Sequence, residues 1–261
     1  MSDPGDHWQR KIIAGAICDF FAPPDPQAVL IFLHGMSGDT LAGNSHWTRI
    51  AAEHRVQIVA PQGAFLEEAN SRGPLDHTNA PYCWWMDRGE MPLGSGINPS
   101  LSPEMWLVQQ LQPALAATGS PVALAGEEVG GHGALRTAYR HARQFPIVLA
   151  VAPKVDLHNI HGLGTSLDRL YDTAEDVRQQ EATVWLHPLD RPRFQLILCD
   201  PANEFCFPGC QTLLTKLSST GCPHEADISP RMFDAGTTER DAAAPRFFSF
   251  LMDAILRMSL E

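Results

Sequence analysis

LAGEEVGGHGAL, residues 124–135, passes within a few positions from an apolar run through two glutamates into a cluster of glycines. The residues before it, PVALAG (121–126), read as a strand apolar on both faces, and the residues after it as the start of a helix. Gly126 and Gly130 bound a tight turn with Glu128 at its apex. The stretch therefore predicts a strand, a sharp turn and a helix, with a carboxylate set where the strand gives way to the helix.

Working outward, the same grammar recurs. AVLIFLH (28–34) and RVQIVAP (55–61) are apolar runs separated by WTRIAAEH, which has helical spacing; FPIVLAVAP (145–153) and FQLILCD (194–200) are two more. Runs apolar on both faces that alternate with helices predict an α/β fold, a mostly parallel central sheet covered by helices on both faces. EADISPRMFD (225–234) reads as a last strand, with Pro230 marking it as an edge, and APRFFSFLMDAILRM as the closing helix. The Pro-, Gly- and Asn-rich stretch between Pro61 and Leu101 reads as loop laid over the C-terminal ends of the strands. Its aromatic cluster, Tyr82, Trp84 and Trp85, either lines a pocket or fills core beneath the loop, the commoner use of aromatics at that density.

Neither a linker nor a repeat divides the chain, so residues 1–261 are read as one domain. Thirty acidic against nineteen basic side chains leave a net charge of −11, which argues against nucleic acid or an anionic membrane as partner. The N-terminal MSDPGDHWQRK has no apolar signal core and no run is long enough to span a bilayer, so the expected location is the cytoplasm. The six cysteines show no paired C-x-x-C spacing. Cys206, Cys210 and Cys222 are near enough in sequence to raise a metal or redox question, yet no further ligands are evident, and buried thiols are the expectation. Neither a metal nor a cofactor is expected.

With the strand order in hand, GEEVGGHGAL falls where the serine elbow of an α/β-hydrolase falls, and it resembles the esterase D (S-formylglutathione hydrolase) group, whose pattern is G-x-S-x-G-G-H-G-A-L. LHGMSGDT, AAEHRVQIVAPQGA and LGTSLDRLYDTAEDV follow the group's order, so the likeness spans most of the chain, weakly outside the elbow. By itself GGHGAL also fits a plain packing role, glycines letting a helix lie close on a strand.

The resemblance implies three catalytic positions, all substituted here. Glu128 stands for the serine, Asn203 in DPANEF for the acid, and Glu239 in FDAGTTER, to within a residue or two, for the histidine. No histidine follows His224. His132 matches a histidine that the group carries on the elbow helix, and packing or hydrogen bonding is its expected work. His34 is read as structural, and His158 and His161 as surface loop. The oxyanion hole is backbone, and the fold would draw it from the amides of Met36 and Val129. A carboxylate on Glu128 could occupy that anion site, and without a nucleophile to present, the strained elbow is free to relax. The reading that follows is an esterase-like protein without its Ser-His-Asp triad, non-catalytic and acting by binding a small-molecule or protein partner that the sequence does not name. The alternative is an active hydrolase of small esters with Glu128 as carboxylate nucleophile or base, or paired with Glu239.

Overall fold

The structure is a computed structural model that describes residues 8–63, 84–89, 91, 101–229 and 238–260. An eight-stranded sheet runs through it in the order β1-β2-β4-β3-β5-β6-β7-β8. The strands are β1 (Gln9–Ile13), β2 (Ala16–Phe21), β3 (Ala28–Leu33), β4 (Val56–Pro61), β5 (Val122–Glu127), β6 (Ile147–Val151), β7 (Phe194–Leu198) and β8 (Glu225–Asp227). From β4 to β8 every pairing is parallel; β1 with β2 and β2 with β4 are antiparallel.

The five apolar runs read from the sequence are β3 to β7, trimmed by a few residues. β1 and β2 form a hairpin that the pattern does not announce: four of the five side chains of β1 are exposed, so no apolar alternation marks it. Its signal is the turn, Ala14-Gly15, where both residues take positive φ (50° and 85°), as a tight two-residue hairpin loop requires. β8 is shorter than expected, and the rest of that run from Pro230 lies outside the described residues, as do most of the stretch after Pro61, Tyr82 and Cys83.

Strand alternation sorts the core into two layers. Val29, Ile31 and Leu33 of β3 face the layer that holds Ala134, Leu135 and Ala138 of the elbow helix (Glu128–Arg140). Ala28, Leu30 and Phe32 face the other, filled by Trp47 and by Phe247 and Phe248 of the closing helix (Glu239–Ser259). All six β3 side chains are buried, and each fully covered Val, Leu, Ile or Phe among them stabilises the fold by about 1.5–3 kcal/mol. Trp84 and Trp85 are core: their indoles donate to Ser166 Oγ (2.9 Å) and to the carbonyl of His34 (3.2 Å). Among the described residues no helix is long and apolar enough to cross a membrane.

Candidate functional site

β5 ends at Glu127 in extended conformation, and the next residue, Glu128, opens the elbow helix at φ = 47°. The turn has therefore not relaxed, contrary to expectation. A non-glycine residue in that region costs about 1–3 kcal/mol and persists only where the surroundings impose it. They do so here by close approach. A Cβ on Gly130 would lie 2.2 Å from the Leu33 carbonyl oxygen, and one on Gly126 would lie 2.4 Å from the backbone of Gly130. The first turn of the helix is thus pressed onto β3 and β5, and the Glu128 carbonyl is held by the Lys154 amide at 3.0 Å. The glycines serve packing, and that packing keeps the elbow sharp.

The loop after β3 meets this elbow. The Met36 amide donates to Glu128 Oε2 at 2.9 Å, so the carboxylate sits on one of the two backbone donors expected for an oxyanion hole; Val129, the other, follows in the first turn. The contact depends on Gly35, where a Cβ would stand 2.5 Å from Oε2. The far end of the same peptide is also held: His34, fully buried, has Nδ1 2.8 Å from the Gly35 carbonyl and Nε2 3.1 Å from that of Gln62. Burial pushes His34 below its ordinary pKa, and the carbonyls oppose that shift. Its role is to fix the loop.

Asn203 and Glu239 come to the same end of the sheet and meet each other. Asn203 Nδ2 donates to Glu239 Oε2 at 2.8 Å, and the Asp200 amide donates to Glu239 Oε1 at 2.5 Å. Asn203 Oδ1 accepts from the Cys206 amide at 3.0 Å, ahead of the helix Phe207–Ser219. Both oxygens of Glu239 are thereby engaged, and the pair acts as a clamp between the loop after β7 and the start of the closing helix. Glu128, Asn203 and Glu239 line one cavity of about 300 Å³ together with Ser37, Asp39, Val151 and Ala152. No histidine is among the described residues that line it.

Two further residues shape the cavity. Arg240 Nη1 donates to Glu127 Oε1 at 2.8 Å. Burial raises Glu127 to about 7, against the lowering effect of Arg240 and with the help of neighbouring Glu128 and Asp39. Glu127 stood beside the elbow residue in the sequence without a partner to give it a role; Arg240, 113 positions away, carried no signal. The other histidines stay outside. His132 is buried and accepts from the Ala182 amide at 3.1 Å, while His158 pairs with Glu181 at 2.6 Å. His161 Nε2 lies 2.9 Å from the Tyr171 carbonyl. The cysteine grouping changes as well: Cys222 lies in the layer of the elbow helix, and Cys199 joins Cys206 and Cys210 in the other.

No protein-family model matches the chain, and no curated protein sequence matches it either. Solved structures do. The fluorophosphonate-binding serine hydrolase FphF of Staphylococcus aureus superposes with a TM-score of 0.67 at 14% identity, over 93% of this chain and 96% of its own. MPT51 (FbpC1) of Mycobacterium tuberculosis gives 0.66 at 15% identity over 95% and 97%. An S-formylglutathione hydrolase from Agrobacterium tumefaciens gives 0.59 at 17% identity over 95% and 98%. The chain has the α/β-hydrolase fold. Identities this low speak for the fold alone; the sharp turn at Glu128 joins the end of β5 to the helix Glu128–Arg140.

Proposed function

We propose that this chain is a non-catalytic, esterase-like protein of the α/β-hydrolase fold, which works by binding a small ligand in the cavity at the elbow. The observation that carries the reading is the Glu128 carboxylate on the Met36 amide. An ester carbonyl needs that donor as charge develops on its oxygen, and the chain's own anion already holds it. The rest of the cavity agrees. Ester hydrolysis by a serine enzyme uses nucleophile, base and acid as one linked unit. At the three matching positions stand Glu128, Asn203 and Glu239, the last two engaged with each other and with backbone.

One observation favours a catalytic second reading. Glu127, raised to about 7, would exchange a proton near neutral pH beside the Glu128 carboxylate. A carboxylate pair would then be Glu127 with Glu128, and not Glu128 with Glu239. Carboxylate-nucleophile branches of the fold need a histidine to activate water against the covalent ester, and none lines the described cavity. A panel of small acyl esters and thioesters, assayed with the wild type and with Glu128→Ala, separates the two readings. The expected result is no Glu128-dependent hydrolysis; robust turnover abolished by Glu128→Ala would make Glu128 a working carboxylate.

A further inference from the structure

A serine-type oxyanion pocket offers N–H donors to an acceptor oxygen. In this chain Glu128 Oε2 already takes the Met36 donor, and the other carboxylate oxygen, Oε1, has no hydrogen-bond donor among the described residues. A site of donors has become a site that presents an acceptor. We propose that Glu128 is the ligand-selecting residue of this cavity: seated on the Met36 amide, its carboxylate closes the site to carbonyl and carboxylate oxygens and makes it a receptor for the ammonium head of a small aliphatic amine. The proposal rests on the non-catalytic reading above and names its ligand class.

The surroundings point the same way. Among the described residues the cavity is lined by the carboxylates of Asp39, Glu127, Glu128 and Glu239 and by one guanidinium, that of Arg240. Arg240 is paired with Glu127, and Glu239 is satisfied by the Asp200 amide and Asn203. Among the described residues no cation pairs with Glu128 or Asp39, so an incoming anion meets their negative charge, whereas an ammonium, with three donors and no acceptor, finds the second oxygen of Glu128. Val151 and Ala152 supply the apolar wall for a short alkyl chain, and a volume of about 300 Å³ stands at the small end of ligand cavities. The carboxylates do not converge as a metal would need: among the described residues no group of three or more His, Cys, Asp or Glu is arranged to hold a metal ion.

The donor beneath Glu128 does not depend on Glu128. His34 holds the Gly35 carbonyl of the same peptide, and the close contacts of Gly126 and Gly130 set the helix start independently of the side chain at the apex. Removing the carboxylate thus uncovers the amide without dismantling it, and the preference of the cavity turns over.

The test is calorimetric titration of the full chain at pH 8 with two probes of equal length, butylammonium and butyrate. The wild type should prefer butylammonium by about tenfold or more, and Glu128→Ala should prefer butyrate by a similar factor. Glu128→Gln, nearly isosteric, should lose the ammonium without gaining butyrate. Gly35→Ala, which pushes Oε2 off the amide by its added Cβ, should weaken ammonium binding with the fold intact and serves if Glu128→Ala does not fold. An unchanged preference in Glu128→Ala, or in Gly35→Ala where that variant stands in for it, overturns the proposal. So does a wild type that binds neither probe or binds butyrate as tightly. Those outcomes leave the non-catalytic reading standing, and only Glu128-dependent ester hydrolysis defeats that.

Discussion

The two ends of the elbow helix carry charge in opposite ways. At its C-terminal half Arg136 and Glu104, both without solvent exposure, form an ion pair, and Arg140 reaches both oxygens of Glu104 at 2.8 and 3.0 Å. Asp87 approaches Arg136 at 3.2 Å, and the Gln180 carbonyl accepts from Arg136 Nε at 2.7 Å. Burial lowers Arg136 to about 10, with Asp87 opposing, so it stays charged and paired. At the N-terminal end Glu127 and Glu128 face a cavity with more carboxylates than cations, and the backbone is held in a strained region. Charges that hold the fold are closed among themselves, whereas at the candidate site Glu128 keeps one carboxylate oxygen without a donor among the described residues. That contrast, more than any motif, separates a structural cluster from a site.

The contrast breaks most visibly at Glu104. Glu104→Ala leaves the fully buried Arg136 and the partly exposed Arg140 short of their partner and should lower unfolding free energy by about 3–5 kcal/mol in a denaturant titration. A loss under about 1 kcal/mol would mean that the network is solvated and the two ends are alike.

At the other end the expected effect depends on pH. Glu127 is raised from 4.5 to about 7, so the unfolded chain gives up this proton first as pH rises. Its contribution to stability is fully present below about 4.5 and is lost as pH passes through about 7, a decline of at most about 3 kcal/mol. Glu127→Gln, which cannot ionise, should flatten that limb in melts taken between pH 4.5 and 8. An equally steep limb in the variant would assign it to another group.

The smallest effect is the sharpest comparison. Glu128→Ala and Glu128→Gly both remove the carboxylate and differ in the cost of φ = 47°. The glycine variant should be the more stable by about 1 kcal/mol. Equal stabilities would show that the turn relaxes once its side chain is gone, and that the strain belongs to Glu128 and not to its frame.

How much of this was legible depends on how local each signal is. The five central strands and the elbow could be read directly, because apolar runs and glycine spacing act over a few neighbouring residues. The described cysteines are buried free thiols, as expected, but which of them are neighbours was not legible: a helix of 13 residues, about 20 Å long, carries the chain from Cys206 toward Cys222, while Cys199, just after β7, shares a layer with Cys206 and Cys210. The hairpin β1–β2 was missed since an exposed strand leaves no apolar period.

By itself the sequence determined the α/β alternation and the sharp strand-to-helix turn with Glu128 at its apex. Those follow from local patterns, since backbone geometry and apolar spacing are set by adjacent residues. Only the tertiary structure decided that Glu128 sits on the Met36 amide, that Glu239 is spent on Asn203 and Asp200, and that Glu127 faces Arg240. Each of these contacts joins residues tens to more than a hundred positions apart, and no local rule carries a hydrogen bond across that distance. The direction of a side chain and the charge of its neighbours exist only once the sheet has brought the loops together.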